Sequence, residues 1–184
     1  MDSLPNRKSI RLPDYDYSQS GMYYVTICVH GREYLFGNVV GATPGGCPRE
    51  TNDNPICIID LNFAGQMIER VWNEIKDRFP GVKLDKFIIM PNHVHGIIQI
   101  HETNGQPPGV APTVTLPNIV HWFKTKTTNE YIRGIRCEIF PRFYERLWQR
   151  NYYEHIIRDD DDLNRIREYI QDNPKNWKQD DLHI

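Results

Sequence analysis

Residues 82–100 read VKLDKFIIMPNHVHGIIQI. The stretch divides at Met90-Pro91-Asn92, a turn-forming connection between two runs, 82–90 and 93–100, rich in Ile, Val and Phe. Such side chains suit a pleated, half-buried surface, so the runs are expected as two strands of an antiparallel hairpin. Residues two apart on a strand leave the same face, and His93 and His95 can therefore reach one cation together. The apolar Gly96-Ile97-Ile98 that follows puts both rings in a buried element, where unpaired imidazoles are costly. Taken alone, an HxH spacing suits a satisfied core or edge histidine as well as a ligand pair.

Upstream of this hairpin, residues 22–30 (MYYVTICVH) read as a strand, with Leu35-Phe36-Gly37 as a short partner across a turn near Gly31-Arg32. From Asp60 to Phe79 the apolar residues Ala64, Met67, Ile68, Val71, Trp72, Ile75 and Phe79 recur at helical spacing, and Pro80-Gly81 stops the pattern. Downstream, a second helix is expected with Thr115 as cap and Pro117 in its first turn, ending before Gly134, with Ile119, Val120, Phe123 and Tyr131 inward. Residues 147–157 (LWQRNYYEHII) read as one more strand. The Asp run at 159–162 then caps a last helix that turns Leu163, Ile166 and Ile170 inward and finishes around Asn173, because Pro174 cannot continue the ladder. The order β-α-β-β-α-β-α predicts an α+β fold: an antiparallel sheet with helices packed on it, the ferredoxin-like or RRM-like split βαβ arrangement.

A chain of 184 residues can bury one good core, so one domain over 1–184 is expected, with exposed Gly/Pro/Asn-rich insertions at about 41–55 and 102–113. No stretch approaches the roughly 20 apolar residues of a membrane span, and Met1 to Lys8 lacks a secretory signal, which points to the cytoplasm. Cys28, Cys47, Cys57 and Cys137 form no CxxC pair, so neither a disulfide framework nor a thiolate zinc site is indicated, and Cys28 and Cys57 read as core thiols.

The formal charge of −2 is unevenly spread. Between His121 and Arg150 seven Lys and Arg face three Glu, whereas much of the acid lies at Asp159 to Asp162 and Asp180-Asp181. Local cations are what phosphate contacts need, and Tyr, Trp and Phe interleaved through 140–153 offer rings on which bases stack. The bland alternative is a solvated face. Candidate nucleic-acid contacts are Lys124, Lys126, Arg146, Arg150, Tyr152 and Tyr153.

On the last helix Tyr169 and Asn173 are one turn apart and share a face. With His93 and His95 they offer two imidazoles, a carboxamide oxygen and a phenol, the groups that phosphodiester transfer requires. A phenol has a pKa of about 10, so a nearby cation would help by favouring its ionised form.

Four segments, YDYSQSGMYYVTICVHGREYLFG (15–37), FIIMPNHVHGIIQI (87–100), LWQRNYYEHIIRD (147–159) and IREYIQDNP (166–174), carry a resemblance that spans nearly the whole chain. Together they resemble the REP-associated tyrosine transposases, IS200-like members of the HUH single-tyrosine transposase superfamily. The resemblance implies the HUH endonuclease fold, with His93-Val94-His95 as the HUH motif. It implies Tyr169 as the nucleophile that becomes linked to a DNA 5′-phosphate, and Asn173 as third protein ligand of Mg²⁺ or Mn²⁺. It further implies single-stranded DNA with palindromic hairpins as partner. The short connection from 147–157 to the last helix favours action of Tyr169 within one chain, and a nucleoid-associated monomer or homodimer is expected. Glu154 and His155, inside the WQRNYYEH match, are expected to orient DNA or stand behind the metal ligands, or simply to form a polar strand face. Two rival readings remain: a metal-dependent phosphodiesterase using activated water, and a nucleic-acid-binding module without catalysis.

Overall fold

The computed structural model describes residues 16–17, 19–41, 57–101, 114–180 and 182–183. The expected insertions fall almost wholly outside these residues, as does Met1 to Lys8.

The hairpin forms as the sequence predicts. Strands β4 (Val82–Met90) and β5 (His93–Ile100) pair antiparallel from Met90↔His93 outward, with an irregularity between Leu84 and Phe87. Strand β1 (Gly21–Cys28) pairs antiparallel with the other edge of β5, and strand β6 (Tyr153–Ile157) completes the sheet in the order β4-β5-β1-β6. The first and third of the four strands are thus central, the split βαβ arrangement.

Three segments depart from expectation. Leu35-Phe36-Gly37 does not pair with β1; Gly37–Val40 (β2) joins Ile58–Leu61 (β3) in a separate two-stranded ribbon. Helix α1 (Phe63–Asn73) therefore begins after Asp60, where the Asn62 side chain caps Gly65 N at 2.9 Å. Glu74 separates it from the short α2 (Ile75–Arg78), an interruption that an apolar period running through Ile75 cannot reveal. The strand expected over 147–157 is only its last five residues, because Leu147 to Tyr152 reach the sheet through one bridge, Val29↔Trp148.

Both later helices outrun their expected ends. Helix α3 (Leu116–Arg136), capped by Thr115, passes through Gly134 because Phe140 folds back onto that position, where a Cβ would lie 2.2 Å from the ring. Helix α4 (Asp160–Asn176), capped by Asp159, carries Pro174 in its last turn, where proline removes one hydrogen bond near an end that already leaves carbonyls unpaired. Cys28 is a buried free thiol as expected, but Cys57 is half-buried and disulfide-bonded.

Alternation sorts the side chains between two layers. One face of the sheet contributes Tyr23, Val25, Ile27, Val94 and Ile98 to a core with Ile68 and Trp72 of α1 and Ile119, Phe123 and Tyr131 of α3. The opposite face packs Ile97 and Ile157 against Leu163, Ile166 and Ile170 of α4. His93, His95, Tyr24 and Thr26 belong to this second face by register, so α4 lies over them. An Arg167 fork on Asp85, at 2.8 and 2.6 Å, ties α4 to the irregular part of β4. Among the described residues no helix is long and apolar enough to cross a membrane.

Candidate active site

His93 and His95 emerge side by side on β5 with ring centroids 4.4 Å apart, 0 % and 2 % exposed. Each ring is held by its Nδ1. His93 Nδ1 is 2.7 Å from Asn92 Oδ1, and His95 Nδ1 is 2.7 Å from the Tyr24 hydroxyl and 2.9 Å from Thr26 Oγ1. A neutral imidazole carries its hydrogen on one nitrogen only, so donation from Nδ1 leaves the lone pair on Nε2. Burial pushes the His95 pKa down to about 3 and holds His93 well below its ordinary range, the neighbouring imidazole adding to the effect there. Both rings are therefore neutral and available as ligands at physiological pH.

Three buried atoms here lack a hydrogen-bond partner among the described residues: His93 Nε2, His95 Nε2 and Asn173 Oδ1. Buried polar atoms are seldom left unpaired, and two imidazole nitrogens with a carboxamide oxygen suit a divalent cation. The donor set thus fits a metal ion. Asp180 also belongs to the cluster: its carboxylate and ligand nitrogens of His93 and His95 all lie within 4.8 Å of one another.

Helix α4 delivers Tyr169 to the same place. Its ring lies edge-on to His95 at 5.4 Å and to Tyr24 at 6.2 Å, and it hydrogen-bonds Tyr24. The side chain stays 48 % exposed while Asn173, one turn on, is 2 % exposed. A phenol open to solvent beside a buried ligand cluster can reach an incoming phosphate. All four residues come from one chain, so the nucleophile candidate needs no partner subunit to meet the histidines.

The expected nucleic-acid contacts divide between the two faces. Tyr153 and His155 stand opposite Thr26 and Tyr24 in register, on the face of the histidines, and are exposed, although His155 Nε2 also lies 2.6 Å from Asp162. Glu154 and Tyr152 lie elsewhere: Glu154 accepts from the Tyr17 hydroxyl at 2.8 Å, and Tyr152 is buried beneath Lys124. Lys124 is occupied by the carbonyls of Gln149, Arg150 and Asn151, Lys126 pairs with Glu74 at 2.7 Å, and Arg146 lies 3.3 Å from Glu145. Arg150 is exposed beside Lys124 and Arg146 along one groove. None of these cations joins the histidine cluster.

Sequence reasoning overlooked Tyr24, Thr26, Asn92 and Asp180. The first two were detectable, because polar residues two apart in an otherwise apolar strand must share a face and find a partner. Asp180 left no such signal, since it follows the last helix at no regular spacing from the histidines.

The chain is also similar to known proteins. Residues 60–173 match the family model described as transposase IS200 like. An uncharacterised protein of Haemophilus influenzae is 38 % identical over 193 residues, covering 98 % of this chain and 95 % of that protein. A second H. influenzae protein, described as a candidate REP-associated tyrosine transposase, is 27 % identical over 109 residues, covering 52 % of this chain and 56 % of its own. Among solved structures, a REP-associated tyrosine transposase bound to a REP hairpin superposes with a TM-score of 0.52 at 16 % identity, over 90 % of this chain and 73 % of that one.

Proposed function

Because the chain belongs to the IS200-like transposase family, we propose that it is a metal-dependent single-stranded DNA endonuclease and strand transferase working through a phosphotyrosine intermediate. One observation carries the reading: His93 Nε2, His95 Nε2 and Asn173 Oδ1 are buried without hydrogen-bond partners among the described residues, and Tyr169, against His95, stays reachable by solvent.

In this reading His93, His95 and Asn173 hold Mg²⁺ or Mn²⁺. A cation bound there supplies Lewis-acid polarisation of a phosphate oxygen and favours the ionised phenol. Tyr169 Oη attacks phosphorus, a P–O bond to the tyrosine forms, and the bond to the 3′ oxygen breaks. The strand end leaves as a 3′-OH carrying the proton lost by the phenol, and the 5′-phosphate stays on the protein. Attack by that or another 3′-OH reverses the step and joins strands. Tyr24 and Thr26 fix the His95 tautomer, and α4 holds Tyr169 in reach.

A palindromic hairpin near the cut is proposed from the family resemblance and from the hairpin bound by the structural relative. One chain holds every group named, so we read Tyr169 as acting within its own subunit.

The test is incubation with Mn²⁺ or Mg²⁺ and a hairpin-bearing single strand, followed by denaturing electrophoresis. A covalent protein–DNA band is expected, lost in Tyr169→Phe. Cleavage that survives Tyr169→Phe without an adduct assigns the chemistry to activated water instead, and binding without cleavage under either metal leaves a binding module.

A further inference from the structure

The segment after α4 folds back onto the histidines. Following Asn176 the chain makes a short 3₁₀ turn, Trp177–Gln179, whose buried Trp177 ring lies 5.8 Å from that of His93. Asn92, whose Oδ1 meets His93 Nδ1, donates through Nδ2 to Leu182 O at 2.8 Å. Leu182 N donates in turn to Asp180 Oδ1 at 2.7 Å. The residue that orients His93 thus also anchors the turn that presents Asp180.

We infer that Asp180 supplies a carboxylate oxygen to the cation held by His93 and His95, an inference that rests on the metal centre proposed above. Three observations support it. The carboxylate shares the cluster with the two histidines. Its Oδ2 accepts from Asn173 Nδ2 at 3.3 Å, which ties the carboxylate to the residue whose Oδ1 is a buried acceptor with no hydrogen-bond partner among the described residues. An ionised carboxylate offers about four acceptor positions, and the contacts to Leu182 and Asn173 use two, leaving capacity for a cation.

Chemistry favours this addition. Two imidazoles and a carboxamide are neutral, whereas Mg²⁺ and Mn²⁺ are hard cations that prefer anionic oxygen. Asp180 gives the set its negative charge. It also makes the C-terminal turn part of the centre, so that docking of Trp177 on His93 and completion of the ligand set occur together.

Calorimetric titration of Mn²⁺ into the DNA-free full chain tests the inference. His93→Ala is expected to remove binding, and Asp180→Asn, which preserves shape and removes the charge but can accept from only one of Leu182 N and Asn173 Nδ2, to weaken it tenfold or more. Asp180→Glu should fall between Asp180→Asn and wild type. Mn²⁺ affinity of Asp180→Asn within twofold of wild type, with His93→Ala still losing the metal, overturns the role of Asp180 while leaving the centre intact. Unchanged affinity in His93→Ala overturns the metal centre itself. Wild-type crystals soaked in Mn²⁺ give a reading independent of any variant's folding: an anomalous peak bonded to an Asp180 oxygen supports the inference, and a peak on the histidines without Asp180 refutes it.

Discussion

His95 Nδ1 lies 2.7 Å from the Tyr24 hydroxyl, and that hydroxyl also accepts from Thr26 Oγ1 at 3.2 Å. The far nitrogen of the ring is then the only one left for a ligand role, and its orientation is set before any cation arrives. Groups behind metal-binding histidines commonly affect affinity by 10–100-fold. Since Thr26 also contacts Nδ1, Tyr24→Phe alone should lower Mn²⁺ affinity only several-fold, and Tyr24→Phe with Thr26→Val by at least about tenfold. Calorimetry on both variants checks this. A double variant as tight as wild type would mean that His95 is oriented by packing alone.

The Asp85–Arg167 pair holds the helix that carries Tyr169, two residues further on. Hydrogen bonding from Arg167, the largest cause, keeps the Asp85 carboxyl below its ordinary value of 3.8. A carboxylate whose folded pKa is depressed stabilises the fold above the unfolded value and loses that contribution as pH falls through the folded one. The pair is partly exposed, so Asp85→Asn should destabilise by about 1 kcal/mol or less at pH 7. The gap from wild type should close below pH 3.8. Urea melts across pH measure both, and a gap independent of pH would show that the ion pair is not its source.

Much of the scaffold and of the proposed site was legible because each rests on a short-range rule. Alternation paired His93 with His95, one helical turn paired Tyr169 with Asn173, and Thr115 and Asp159 marked helix starts. The misread parts depend on contacts between distant residues. Gly134 is an ordinary stop signal until Phe140 packs onto it, and residues 147–152 have strand-like composition yet pair only through Trp148. Lys124 and Lys126 read as free cations because nothing local discloses that carbonyls at 149–151 and Glu74 take them up. Asp180 belongs to the same class, placed by a chain reversal that no periodicity encodes.

Gly96 separates the histidine end of β5 from its apolar end and meets Trp72 closely. A Cβ there would stand 2.2 Å from Trp72 Cζ2, and that indole is fully buried between Phe87 and Phe123. Overpacking of this kind costs about 1–3 kcal/mol, and a ring fixed on two sides places Gly96→Ala toward the upper figure. Denaturant unfolding should show it. A loss below about 0.5 kcal/mol would mean that Trp72 can shift, contrary to a tightly packed layer.

The division of the expected DNA contacts between the two faces predicts a division in their effects. Tyr153, 60 % exposed, lies on the edge strand on the same face as the histidines, with Thr26 between it and His95, where a base flanking the attacked phosphate can stack on it. Stacking of one base is worth about 1–3 kcal/mol, so Tyr153→Ala should weaken binding of a single-stranded oligonucleotide roughly tenfold with little effect on stability. Lys126 lies over Trp122 beyond the other face and is neutralised by Glu74 and Glu130. Lys126→Ala should leave affinity within about twofold, because removing a cation already engaged by carboxylates releases few counterions from DNA. Fluorescence anisotropy with both variants decides the matter. Equal losses would move the DNA path across both layers, and a loss confined to Lys126→Ala would put it on the far side of the sheet from Tyr169.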